Sequence, residues 1–142
     1  NQFFYLWLLL RCLFKYEIPK ARVEYFDGLK SRIVEQQVHT INLGICKYSG
    51  GGMQVVPHAE PSDGLLALTV AKPFSVIGII WNTWRFYTGS IGALPKVELN
   101  QVKKARVEVL EGEILLEADG EFLGKVPADF SILEKALKIV VP

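Results

Sequence analysis

Residues 103–121 read Lys-Lys-Ala-Arg-Val-Glu-Val-Leu-Glu-Gly-Glu-Ile-Leu-Leu-Glu-Ala-Asp-Gly-Glu, and this stretch decides the architecture. Ala105, Val107 and Val109 alternate with Arg106 and Glu108. A period of two puts one set on a core face and the other in water, as in a half-buried strand. Glu111-Gly112 turns the chain, Ile114 to Ala118 returns, and Asp119-Gly120 turns it again. Downstream, Phe130–Leu133 and Ala136–Val141 read as two more strands. Upstream, Ala21, Val23 and Tyr25 alternate with Arg22 and Glu24 ahead of an Asp27-Gly28 turn. Residues 31–46 read as a long strand or a strand pair, and Leu65 to Ala71 as a strand buried on both faces. Roughly eight short strands joined by tight turns predict a single, mainly β domain, an antiparallel β-sandwich with two flanking helices.

The helices are read from a period of 3.6. Over residues 3–16, Phe3, Trp7, Leu10 and Phe14 form one stripe with Leu6 and Leu13 beside it, and Pro19 ends the segment. A second helix is predicted from Pro73 to about Tyr87. Ile77, Ile80, Trp81 and Trp84 fall on one stripe, Pro73 stands at the start and Gly89 just past the end. That stripe is expected to be packing.

Composition narrows the classes. Half of the 142 residues are hydrophobic and 22% are charged, which describes a folded globular chain. The net charge is +1 and no basic stripe is interleaved with aromatics, so nucleic acid is not an expected partner. Cys12 and Cys46 are isolated, which argues against a zinc site or a disulfide scaffold and fits a reducing cytosol. The apolar run Phe3–Leu10 is too short for a bilayer, which needs about 20 residues. It also lacks the preceding basic residues of a signal peptide. The expectation is a chain cut from something longer, whose first helix has a face made for a missing neighbour.

Two segments carry candidate chemistry. Residues 50–65, Gly-Gly-Gly-Met-Gln-Val-Val-Pro-His-Ala-Glu-Pro-Ser-Asp-Gly-Leu, join three glycines to a proline-bounded acidic turn at Asp63-Gly64. The glycines would allow positive φ or close approach of the backbone at a cleft. The loop suits a metal or a phosphate without naming either, and an ordinary surface loop is the simpler alternative. Asp119-Gly120-Glu121 places two carboxylates on one tight turn, able to take a proton from a hydroxyl or to bind Mg²⁺ through oxygen. Glu108, Glu111, Glu113 and Glu117 read as solvated strand faces, and His39 as a packed or edge residue. His58 lies in the acidic loop, but a lone histidine is weak evidence for a ligand. Neither a Ser/His/Asp set, nor a base beside Cys46, nor a phosphate-cradling glycine motif is evident.

Together these residues resemble the C-terminal domain of the diacylglycerol kinase-like lipid kinases. The resemblance runs through Tyr16, Val23, Asp27-Gly28, Tyr48, Gly50-Gly51-Gly52-Met53, Pro57-x-Ala59, Asp63-Gly64-Leu65-Leu66 and Asp119-Gly120-Glu121 to the closing Val-Val-Pro. It implies the C-terminal half of a two-domain enzyme, with ATP bound mainly by an N-terminal α/β domain that this chain does not contain. It implies Glu121 as proton acceptor with Asp119 supporting or competing. It implies a structural Mg²⁺ on the Asp63 carboxylate with the carbonyls of Glu60 and Leu65. It further implies a lipid substrate, a cytoplasmic enzyme in peripheral contact with the membrane, and room for a homodimer. The isolated domain is expected to be inactive. One departure stands out: Ile45-Cys46 occupies the place where many members carry Asn-Gly. An NAD kinase-like enzyme acting on a soluble metabolite, or a non-catalytic lipid-binding sandwich, are the alternatives.

Overall fold

The computed structural model describes residues 16–136. Most of the first predicted helix and the last predicted strand therefore lie outside the described residues, and Tyr16 itself has irregular backbone.

Alternation makes the first sheet. Ala21, Val23 and Tyr25 of β1 (Lys20–Phe26) are buried while Arg22 and Glu24 face solvent. β1 lies between β2 (Ser31–Gln37) and β8 (Lys104–Glu111), and β11 (Ala128–Ser131) pairs with the far edge of β8. All these pairs are antiparallel. The outer face is a ladder of charges, with Arg22 on Glu35 at 2.6 Å and Arg106 on Glu108 and Asp129 at 2.8 and 2.7 Å. Glu108 is thus a solvated strand-face residue, as its alternation predicts.

The second sheet holds β3 (Thr40–Gly44), β6 (Leu66–Ala71) and β7 (Val97–Val102) in the order β3-β6-β7. β6 is its centre, buried from Ala67 to Ala71, which explains a sequence without alternation. Leu68, Val70 and Val102 meet Val23, Tyr25, Ala105 and Val107 of the first sheet in one core. On the other side of β6, Ala67 joins Val56 and Ala59 in a smaller cluster beneath the acidic loop. Fully burying a Leu or Val contributes roughly 1.5–3 kcal/mol, so these side chains dominate the stability of the sandwich.

The chain crosses between sheets at two corners. Between β2 and β3, Val38 N donates to Pro19 O and His39 N to Ala71 O. Between β7 and β8 only Lys103 intervenes, its N–H bound to Phe26 O at 2.8 Å. His39 therefore stands at a corner, half-buried, with its ring 5.2 Å from that of Tyr16.

Two small ribbons complete the β structure: β4 (Tyr48–Ser49) with β5 (Met53–Gln54), and β9 (Leu115–Ala118) with β10 (Glu121–Lys125). The strands among the described residues number eleven, and four of them are not expected from the sequence: the two-residue β4 and β5, the five-residue β10, and β7, a six-residue member of the second sheet.

The predicted helix at 73–87 is corrected. It is two helices, α1 (Val76–Asn82) and α2 (Trp84–Thr88). Ser75, not Pro73, caps the start, its Oγ accepting from Gly78 N at 3.1 Å. The break at Thr83 follows from side chains competing for helix carbonyls: Asn82 donates to Gly78 O and Thr83 to Ile79 O. Gly89 ends α2 at φ 69° as expected, and a Cβ there would lie 2.6 Å from the Gln54 side chain. The stripe read as packing is in fact exposed: Ile77 is 77% and Trp81 79% accessible, with Ile80, Trp84 and Tyr87 all above half. The inner side of the helices, including Ile79 and Phe86, lines a partly open pocket of about 90 Å³ together with Ala71, Ile91 and Leu94. No helix among the described residues is long and apolar enough to cross a membrane.

Candidate active site and metal turn

The glycine segment is a 3₁₀ turn, Gly50–Gly52, joining β4 to β5. Gly51 and Gly52 have φ of 70° and 81°, a region that L side chains rarely adopt. A Cβ on any of the three glycines would meet nothing within 4 Å. The expectation of close backbone approach is not met among the described residues: Gly51 and Gly52 are there for their dihedrals, and nothing in the structure explains Gly50.

The acidic loop is clamped to β7. His58 Nε2 donates to Asn100 O at 2.8 Å, which leaves its Nδ1 buried without a partner among the described residues. Next along β7, Gln101 Nε2 donates to Asp63 Oδ2 at 2.8 Å. Asp63 Oδ1 accepts from Leu65 N at 2.8 Å, and Asp63 N donates to Glu60 O at 3.3 Å. Asp63 is therefore the pivot of an Asx-type turn completed by Gly64 at φ 71°. The turn draws Glu60, Asp63 and Leu65 together, the three residues expected at the ion.

The donors of this turn are hard oxygens, the chemistry that Mg²⁺ prefers, and each carboxylate oxygen keeps a lone pair beyond its present bond. Glu134, which sequence reasoning missed, reaches the same turn. A Cβ on Gly64 would lie 3.1 Å from its carboxyl carbon, and Lys103 Nζ is 3.7 Å from its Oε1. Only the fold brings residue 134 beside residue 64, so no local spacing could have found it. Among the described residues no group of three or more His, Cys, Asp or Glu side chains is arranged around one point. An ion here would rest on Asp63, on main-chain oxygen and on water.

The second acidic turn is differently built. Asp119 at φ 52° and Gly120 at φ 87° form a two-residue loop with both φ positive, and Ala118 pairs with Glu121 across it. This is the primed turn whose twist matches a tight hairpin, and Asp-Gly is its preferred pair. Asp119 and Glu121 are both exposed, and among the described residues neither carboxylate is paired with a cation or a hydrogen-bond donor. Phe122 and Leu123, next along β10, are 66% and 60% exposed, as is Leu115 on the facing strand at 59%. The β9–β10 ribbon thus carries two uncommitted carboxylates beside unburied apolar side chains. Among the described residues no hydrogen bond links it to the Asp63 turn, which lies in the loop between β5 and β6.

The comparisons with known proteins bear on this pattern. A diacylglycerol kinase of Mycobacterium tuberculosis (strain H37Rv) is 31% identical over 104 residues, covering 71% of this chain and 32% of the relative. One from Staphylococcus aureus (strain RF122) is 26% identical over 121 residues, covering 85% and 37%. The chain spans about a third of the length of these curated relatives. In structure it is similar to a diacylglycerol kinase from Bacillus anthracis str. Sterne, with a TM-score of 0.61, 21% identity, and coverage of 87% of this chain and 43% of that one. That likeness is of fold. Residues 1–141 match the profile described as the YegS C-terminal NAD kinase beta sandwich-like domain, and the chain belongs to that family.

Proposed function

We propose that this chain is the acceptor-side domain of an ATP-dependent lipid kinase that phosphorylates diacylglycerol or a related lipid. The observation that carries the reading is the Asp119–Glu121 turn, two carboxylates without a partner among the described residues, beside the exposed apolar Phe122 and Leu123, in a domain whose curated relatives are named diacylglycerol kinases. In phosphoryl transfer the acceptor oxygen attacks the γ-phosphorus, the bond to the β-phosphate oxygen breaks, and the acceptor proton must go to a base. Glu121 is assigned as that base, with Asp119 beside it orienting or sharing the proton. A carboxylate that is not already hydrogen-bonded is free to accept it.

Mg²⁺, held at Asp63 with the carbonyls of Glu60 and Leu65, would brace the acidic loop. ATP would be bound mainly by a second, α/β domain, so this domain alone is expected to be inactive. The enzyme would work in the cytoplasm at a membrane surface, where its substrate resides. A kinase of soluble metabolites remains the competing class, since the family description itself names an NAD kinase-like sandwich. The apolar residues beside Glu121 favour a hydrophobic acceptor.

The test is the full-length protein with ATP, Mg²⁺ and a panel of diacylglycerol, a sphingoid base and NAD. Phosphorylation of a lipid supports the reading. Turnover of NAD alone, or of nothing, overturns it.

A further inference from the structure

We infer that the α1–α2 pair is a membrane-docking face that lies flat on an anionic bilayer. Its inner side, with Ile79 and Phe86, is spent on the pocket wall, while Ile77, Ile80, Trp81, Trp84 and Tyr87 face outward. A helix apolar on both sides belongs in a protein interior or in lipid. The 13 residues from Val76 to Thr88 fall short of the ~20 needed to span a bilayer, which leaves the interfacial plane. Trp and Tyr are the side chains most at home there, with an apolar body and a polar tip.

Charge selects the occupant. From Pro73 to Val97 there are two cations, Arg85 and Lys96, and no carboxylate, and Glu98 just beyond is paired with Lys72 at 2.7 Å. Arg85 lies 4.8 Å from the centre of the Trp84 ring, and Lys96 5.6 Å from that of Phe74. Against a second copy of the chain, a self-complementary contact would set cations facing cations without an acid to neutralise them. Lys96 Nζ donates to Pro73 O and Arg85 to Asn82 Oδ1 and Ser90 O, neutral partners that leave both charges and their further N–H groups for phosphatidylglycerol headgroups, while the aromatics enter the acyl boundary. The purpose of this face rests on the lipid-kinase reading; its geometry does not.

The experiment is cosedimentation of the full-length protein with vesicles of 30% phosphatidylglycerol in phosphatidylcholine and with vesicles of phosphatidylcholine alone. Binding is expected to the first and to be weaker by tenfold or so to the second. Ile77→Ser/Trp81→Ser, at the two most exposed positions of the face, should lower binding roughly tenfold or more while the thermal midpoint is kept. Arg85→Gln should lower it about fivefold on the anionic vesicles only. Leu29→Ser, at a residue 90% exposed in the β1–β2 turn, is the control and should change nothing. Unaltered binding by the double variant, or no binding by the wild type, overturns the inference. So does a variant whose only change is from dimer to monomer in sedimentation, since the face would then serve a second copy. Turnover of dispersed short-chain diacylglycerol separates the two readings. If the double variant keeps it but leaves the vesicles, the face is for docking. If neither protein turns it over, the kinase reading fails while the vesicle result stands.

Discussion

The two acidic turns contain the same Asp-Gly dipeptide and use it in opposite ways. At Asp63 both carboxylate oxygens are already bonded, one to Leu65 N and one to Gln101, and His58 ties the same loop to β7. At Asp119 and Glu121 the carboxylates are exposed and have no hydrogen-bond or ion-pair partner among the described residues, on a ribbon outside both main sheets. A carboxylate that holds its own loop together is a structural element or an ion anchor. One left unpaired at a rim is available for a reaction. Identical local sequence therefore acquires its role from what the fold places next to it.

The contrast can be broken most decisively at Glu121. Glu121→Gln should lower kcat by ~10²- to 10⁴-fold in the full-length enzyme, the usual range for loss of a general base. Its unfolding free energy should stay within about 0.5 kcal/mol of wild type, as for an exposed side chain without partners. A variant with full turnover would remove Glu121 from the mechanism. Asp63→Asn should show the converse, a loss of about 1–3 kcal/mol in chemical denaturation from its bonds to Leu65 and Gln101. It should also erase any rise in melting temperature caused by Mg²⁺. Melting curves identical to wild type with and without the ion would end the case for Asp63 as its anchor.

Two glycines sharpen the comparison on a smaller scale. Gly120→Ala, at φ 87° with open space around it, should cost about 1 kcal/mol, purely from backbone strain. Gly64→Ala, at φ 71° with the Glu134 carboxyl in the way, should cost more, about 1–2 kcal/mol, and should disturb the Lys103–Glu134 pair. Equal costs would show that the Glu134 side chain yields freely.

The smallest effect is in pH. Burial at the sheet corner lowers the His39 pKa below the ordinary 6.5. The unfolded chain then binds a proton that the folded one resists, so stability should fall as pH drops below 6.5 toward the folded pKa. His39→Gln should flatten that decline in urea titrations between pH 7 and 5. Asp27 adds a separate loss at lower pH. Hydrogen bonds from Lys30 and Leu29 hold its carboxyl below the usual 3.8, a contribution present above that value and lost as the acid form takes over.

The strands that alternate could be read in advance because water enforces a period of two: Ala21, Val23 and Tyr25, and Ala105 and Val107, are buried as predicted. The Asp119-Gly120 hairpin was legible for a local reason, the twist that a two-residue loop demands. Both acidic turns and the Gly89 stop were likewise written in nearby residues. The helix region shows where such reading ends. Periodicity locates an apolar stripe but does not say whether the stripe meets its own core or something outside the chain. For Ile77, Ile80, Trp81 and Trp84 it does not meet the core. Nor does periodicity register that Asn82 and Thr83 take carbonyls from the helix and split it. Glu134 beside Gly64, and Gln101 on Asp63, are joined only by tertiary folding, so no window along the chain contains them.

The one-residue crossing at Lys103 limits how this molecule can move. With β7 and β8 in different sheets joined by a single residue, and β2 and β3 joined by Val38 and His39, the two halves of the sandwich are stitched at two corners. Such short crossings hold the two sheets together and oppose their separation along the core. Among the described residues, the parts that lie outside the two main sheets are the β4–β5 and β9–β10 ribbons and the α1–α2 pair. In mechanical terms, the sandwich is the chassis, and the carboxylates and the tryptophans are carried on its arms.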